Sequence, residues 1–221
     1  MNDEAVEPYR RVRRHPERAS YRAEDAYAIL DEGLVAHVAF TLDERPFVVP
    51  MAYARDGDRL LLHGAAGSRI CRRLAAGIPV SVAVTLLDAL VLARSAFHHS
   101  MNYRSVVVFG RCSPVTDREA KAAALDRLME HIVPGRSRDA RAGSDKELDM
   151  TGLLGLPIEG FSVKARGGPP VDDPEDMDLP CWAGLLPLSL APGSPAPDPA
   201  MTVGAPVPEY LARYRRPGAG G

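Results

Sequence analysis

The sequence predicts an α+β fold: short antiparallel strands in one sheet that closes into a barrel or pairs with a partner, with helices set between them. Three observations lead there. Strand-like runs between Leu34 and Phe97 are joined by turns such as Asp43-Glu44-Arg45 and Asp56-Gly57-Asp58, which suit hairpins and are too short for parallel crossovers. Val106-Val107-Val108-Phe109 is the most strand-like stretch of the chain. Two segments, Ser20–Glu32 and Arg118–His131, switch to a helical period. A sheet of five or six short strands must hide its edges, and closure is the usual way.

Each element has its own signal. Ser20 is placed to cap the first helix, whose face carries Ala23, Ala26, Tyr27 and Leu30 and which stops at Gly33. Strands follow at Leu34–Thr41, Phe47–Ala54 and Arg59–His63. Gly64–Gly67 is a loop of small residues, and Ser68–Ala76 reads as a short helix. Val80–Leu87 and Ala89–Phe97 read as two strands, and Ser105–Val115 as the next. Asp117 caps the second long helix, with Ala122, Leu125, Leu128 and Met129 inward. Lys146–Gly152 reads as a shorter helix, and a last strand runs from about Ile158 to Lys164.

The chain divides into an arginine-rich extended arm over 1–18, a barrel domain over 19–166, a docking segment over 167–190 and a tail over 191–221. The docking segment carries the only tryptophan, Trp182, among several leucines. The tail is dominated by Pro, Ala, Gly and Ser, and is expected to be flexible.

Bulk properties exclude several classes. A net charge of -2 gives no electrostatic case for nucleic acid, and the basic arm reads as a solvated arm or a strap over a partner subunit. No apolar run reaches the roughly 20 residues of a membrane span. The polar start is unlike a secretory signal. Cys71, Cys112 and Cys181 are widely spaced, as in a reduced, cytoplasmic protein.

Three segments carry chemistry. In His63-Gly64-Ala65-Ala66-Gly67-Ser68-Arg69, small residues precede a helix start, followed by a hydroxyl and a guanidinium. That combination suits a phosphate, through free N–H groups, helix polarity and a planar fork. It equally describes an ordinary strand–turn–helix corner. In Phe47-Val48-Val49-Pro50-Met51-Ala52-Tyr53, Pro50 marks an edge or bulge, along which a flat ligand could bond free amides. The plain alternative is an edge that proline protects against aggregation. Phe97–Ser105 reads as a polar rim, with Arg104 and Ser105 available to an anion. His98 and His99 are adjacent and would point to opposite faces of an extended chain, so no metal site is expected.

The runs Val48–Met51, Leu61–Arg69 and Arg104–Gly110, in this order and spacing, resemble the pyridoxamine 5'-phosphate oxidase-related flavin-binding proteins. The likeness is to the branch that includes nitroimidazole-resistance reductases, and it spans about 12–166. The resemblance implies a six-stranded antiparallel split β-barrel and a homodimer with flavin mononucleotide (FMN) at the subunit interface. Carried over, Val48, Val49, Pro50 and Met51 edge the flavin ring, and His63 and Gly64 lie beside it. Ser68 and Arg69 hold the phosphate, and Ser105 reaches the flavin. Trp182 either covers the flavin or anchors the tail. True oxidases follow their late tryptophan with an Arg-x-His clamp. Here Ala183-Gly184-Leu185 follows, which argues against pyridoxamine phosphate as substrate.

The leading expectation is an FMN-dependent oxidoreductase acting on a small organic molecule, with His63 and Tyr53 as catalytic proton donors. NAD(P)H would suit as reductant, though no dinucleotide fingerprint is present. The alternatives are a non-catalytic flavin sensor and a haem- or deazaflavin-binding relative. In a haem protein, His63, His98 or His99 would be the axial ligand.

Overall fold

The computed structural model describes residues 6–215. Its sheet contains ten strands, all antiparallel, and follows the order β1-β9-β6-β5-β2-β3-β4-β8-β7, with β10 beside β5. The strands are β1 (Ala19–Ser20), β2 (Val35–Leu42), β3 (Arg45–Asp56), β4 (Arg59–Ala65), β5 (Pro79–Leu92), β6 (Ser100–Arg111), β7 (Ser113–Pro114), β8 (Thr151–Pro157), β9 (Gly160–Arg166) and β10 (Gly184–Pro187). The helices are α1 (Ala23–Glu32), α2 (Arg69–Ala75), α3 (Arg118–Ile132), α4 (Asp145–Met150) and α5 (Glu209–Ala212).

The sheet turns back on itself. β7 continues β6 one residue later, yet it pairs with β8 rather than β5, at Ser113–Gly155 and Pro114–Leu154. The inner faces of the curved sheet then form one core, including Val38, Leu60, Leu62, Val82, Val84, Val106, Val108 and Leu156. A second, smaller cluster packs α3 against the other face through Ala124 and Leu128 on Ala54, Leu61 and Leu153. Burying such side chains contributes about 1.5–3 kcal/mol each. Leu61 and Leu62, adjacent on one strand, therefore serve different cores.

Several elements differ from their expected form. Helix α1 begins at Ala23 with Arg22 as an uncapped start, because Ser20 sits in β1 and its hydroxyl donates to Asp25 instead. The expected strands at 80–87 and 89–97 are one strand, β5, interrupted by a bulge at Asp88. β6 starts at Ser100, five residues before its expected start. The region read as a polar rim is therefore partly β-sheet, preceded by a 3-10 turn at Ala96–His98. β8 was not expected: Thr-Gly-Leu-Leu-Gly-Leu-Pro is poor in strand formers, and its place opposite β4 holds it extended.

The flanking segments are docked. Tyr9 meets Phe109 edge-on at 5.3 Å between ring centres. Lys164 Nζ donates to the carbonyl of Arg14. After the barrel, the carboxylate of Asp172 accepts from the Arg94 and Ser95 backbone N–H groups and from the Arg94 guanidinium. β10 then pairs with Ala89–Leu92. The tail, expected to be flexible, returns to α3. Tyr214 donates to the Ile132 carbonyl, and Tyr210 packs on Gly135 and accepts from Arg136. Two tyrosines supply the apolar area that the Pro-rich stretch lacks.

Candidate functional site

The site is a fork in the sheet. β3 is long enough to serve two partners. Residues Arg45–Ala52 pair with β2, and Tyr53–Asp56 pair with β4. β4 runs on past the divergence, so that His63, Gly64 and Ala65 pair only with β8. Facing edges of β3 and β4 are thereby left without ladder partners between Val48–Ala52 and His63–Ala65. Unpaired strand edges present N–H and C=O groups to a ligand. Pro50 lies on this edge, where its missing N–H costs no ladder bond. Along β3, Val48 and Pro50 point outward, with Val48 62% exposed, whereas Val49 and Met51 pack against the core. Only alternate members of the expected quartet can therefore meet a ligand with their side chains.

Helix α2 closes the fork. Ser68 caps it by accepting the N–H of Cys71 at 3.2 Å. The N–H groups of Arg69 and Ile70 occupy the helix start, where no intrahelical partner exists. Gly64 is required by packing: a Cβ there would lie 2.8 Å from Cys71 Sγ. Its role is to let α2 sit close beneath the loop. The Arg69 guanidinium lies over the Phe47 ring, 5.4 Å from its centre, and has no carboxylate partner among the described residues. A cation held over a ring face with its N–H fork free is available to an anion. His63 is half-buried, and its Nδ1 is buried without a hydrogen-bond partner. Beside it is a cleft of about 410 Å³ bounded by His63, Gly64, Ala65, Glu147, Met150 and Thr151.

Other expected site residues are placed elsewhere. Tyr53 is fully buried, and its hydroxyl donates to the Leu30 carbonyl at 2.7 Å, so it is a core residue out of reach of a substrate. Arg104 is not available to an anion. It donates to both oxygens of Glu32, at 2.6 and 3.1 Å, and to both oxygens of Asp88, at 2.8 and 3.1 Å. Its hydrogen bonds to the Asp88 and Glu32 carboxylates raise its pKa above the usual arginine range, so its charge is fixed. The Ser105 hydroxyl donates to the Lys164 carbonyl across the β6–β9 pair. Trp182 is 69% exposed beside Gly184, next to β10, and lines neither the His63 cleft nor the one at Phe47. His98 Nε2 pairs with Asp173 at 3.2 Å, and His99 Nδ1 donates to the Ser95 carbonyl, which leaves its Nε2 free.

Sequence reasoning missed the partners of Arg104 and the Asp172 anchor. Glu32 lies 72 positions from Arg104, and no spacing rule joins them. Asp88 did leave a signal, as the one charged residue in an apolar run.

The model of the family "Pyridoxamine 5'-phosphate oxidase" matches residues 22–165. Comparison with curated proteins gives no significant match. Among solved structures, the flavocytochrome Anf3 from Azotobacter vinelandii is 36% identical over 95% of this chain and 98% of its own, with a TM-score of 0.89. A FAD and haem binding protein from Mycobacterium smegmatis is 38% identical over 88% of this chain and 96% of its own, with a TM-score of 0.84. A candidate 5-nitroimidazole antibiotic resistance protein from Bacteroides thetaiotaomicron shares the fold at 23% identity, a TM-score of 0.55, and 66% and 85% coverage. The forked antiparallel sheet with peripheral helices is thus the split-barrel arrangement, and the chain belongs to the pyridoxamine 5'-phosphate oxidase family.

Proposed function

We propose that the chain is a redox protein that binds a flavin at the β3/β4 fork and a haem as a second cofactor. Three features of this region carry the reading: an unpaired edge on β3, an orphaned His63 Nδ1 on β4 and an uncommitted Arg69 at the start of α2. The similarity to a flavocytochrome and to a FAD and haem binding protein supports it. FMN is the family's expected flavin, and FAD is named for the mycobacterial relative.

A bound flavin supplies the electron transfer. The protein's part is placement. The β3 edge at Val48–Met51 offers backbone groups to the ring, and Ser68 with Arg69 holds a phosphate. His63 carries or delivers a proton to the reacting molecule through a ring nitrogen. For haem, His63, His98 and His99 are the candidate ligands: His63 Nδ1 is buried without a partner, His98 uses Nε2 on Asp173, and His99 uses Nδ1 on the Ser95 carbonyl, so each of the last two keeps its other ring nitrogen. The reductant is taken to be a nicotinamide nucleotide and the acceptor a small organic molecule.

The chain is also proposed to work as a homodimer through the outer face of β2, β3 and β5. There Val35, Val48 and Leu87 are 48%, 62% and 44% exposed on one face of the sheet, apolar area that a second copy would cover.

The test is the absorption spectrum of the purified protein, with chromophores released by mild denaturation and identified by chromatography. A flavin band together with a haem band is expected. A colourless protein that takes up neither added cofactor would overturn the assignment.

A further inference from the structure

Two clefts meet on the side of the sheet that carries α3. The first is the one beside His63, which also includes Ala65, Glu147 and Thr151. The second, about 290 Å³, lies between α2, α3 and the start of β8, and its walls include Ala66, Cys71, Arg72, Thr116, Lys121 and Thr151. Thr151 is common to both, and Ala65 and Ala66 are consecutive, so the two form one groove. The β4–β8 register puts His63 opposite Leu153 and Ala65 opposite Thr151, and Leu153 packs with the buried residues of α3. His63 and Thr151 therefore face the same way. Val35, Val48 and Leu87, on the face proposed for the second copy, line neither cleft.

We propose that this groove binds the organic molecule on which the flavin acts, and that this molecule is an anion, with its carboxylate or phosphate held between Arg72 and Lys121 and its reacting end at His63. The inference rests on the flavin reading of the fork and names the class of substrate.

The charges in the groove support this. Arg72 and Lys121 are the charged residues of the second cleft, and neither has a carboxylate partner among the described residues. The carboxylate of the first cleft, Glu147, is engaged: it accepts from both terminal nitrogens of Arg141 and from the Ser144 N–H and hydroxyl. Helix α2, Arg-Ile-Cys-Arg-Arg-Leu-Ala, has three arginines and no acid. Arg69 lies three residues from Arg72 and four from Arg73, spacings at which like charges destabilise a helix. Arg72 offers a planar fork and Lys121 a compact charge, a pair suited to one small anionic group. Between the cations and His63 the walls are small, with Ala65, Ala66 and Gly152, which leaves passage for a flat body.

The test is calorimetric titration of the purified full chain, with the cofactor it carries, using 4-nitrobenzoate, 4-nitrophenyl phosphate and the neutral 4-nitrobenzyl alcohol. At least one anion should bind about tenfold more tightly than the alcohol, the scale of one hydrogen bond to a charged group. The tighter anion decides between carboxylate and phosphate. Arg72→Gln and Lys121→Gln should each weaken that anion by about tenfold and leave the alcohol unchanged. Arg73→Gln removes the same charge from the same helix but lies outside the cleft, and should leave both unchanged. Binding should also shift the visible absorption band of the flavin, which reports the reacting end. Anions that bind no better than the alcohol overturn the inference. So do an Arg73→Gln variant that loses as much as Arg72→Gln, and binding that leaves the flavin band unmoved. In these cases the flavin is still present and the fork reading stands. A chain that carries no flavin and takes none up overturns the fork reading, and this inference with it.

Discussion

Arg69 and Arg104 are at different ends of the sheet, and both were expected to meet an anion. Arg104 sits where α1 ends, where β5 bulges and where β6 begins its long pairing, and it finds two carboxylates within hydrogen-bond reach. Arg69 sits at the first turn of α2, facing a sheet that has come apart, and it finds only a ring face. The difference extends to their neighbours. Around Arg104, the Ser105 hydroxyl has a protein partner. On the Arg69 side, where β3 and β4 diverge, a strand edge lacks its ladder and His63 Nδ1 on β4 has no partner. In a protein that satisfies nearly all its buried polar groups, unmet groups mark where something else binds.

The sharpest way to break this contrast is to exchange expectations between His63 and Tyr53. His63→Gln should lower turnover of an electron acceptor by about 100-fold, the scale of a lost proton donor, with an unchanged melting temperature. Tyr53→Phe should do the reverse, keeping turnover but costing about 1 kcal/mol in urea unfolding, because the Leu30 carbonyl loses its donor. Equal activity losses in both would return Tyr53 to the reactive set.

Next in size is the Arg104 network. Arg104→Ala removes the guanidinium from which both Glu32 and Asp88 accept. Breaking a buried pair costs several kcal/mol. Here the guanidinium side chain is 38% exposed and solvent screens it, so about 2 kcal/mol is expected by denaturant titration. Flavin content should not change.

Smaller is the cap of α2. Ser68→Ala should cost about 1 kcal/mol of stability, read by thermal unfolding, because Cys71 N–H loses its acceptor. On the proposed reading it should also weaken flavin binding, since the hydroxyl would donate to the phosphate as well.

The smallest effect concerns pH and the segment bearing Trp182. Burial pushes the Asp172 carboxyl up, but the Ser95 and Arg94 N–H groups and the Arg94 guanidinium outweigh it and hold its pKa below the ordinary carboxylate value. The folded pKa is depressed, so the anchor is fully present above the unfolded value and is lost as pH falls through the folded one. Trp182 fluorescence should therefore be constant near neutrality and shift only below about pH 4, the unfolded carboxylate range. Asp172→Asn should move that change to neutral pH.

The strands between 34 and 63 and the helix at 118 were legible because local pattern and tertiary place agree: alternation puts Val38 and Leu60 inside, and Asp117 caps α3. β8 was not legible, since its two glycines give no strand signal and its extended form comes from β4 alongside. The same division holds for the site. Ser68 and Arg69 could be read from a seven-residue pattern. The burial of Tyr53 and the double pairing of Arg104 could not, because Leu30, Glu32 and Asp88 approach them only in three dimensions. Pro50 was read as an edge marker without any way to know which edge. The answer is the one that faces β4 across the fork.

The most direct test compares the two arginines in one experiment: flavin affinity of the full chain for Arg69→Gln and Arg104→Gln beside the wild type. A charge-assisted phosphate contact is at stake in only one of them. The account predicts that Arg69→Gln weakens flavin binding by about 100-fold, while Arg104→Gln stays within about twofold of the wild type. Unchanged binding in Arg69→Gln, or a large loss in Arg104→Gln at a temperature where that variant is folded, would contradict it.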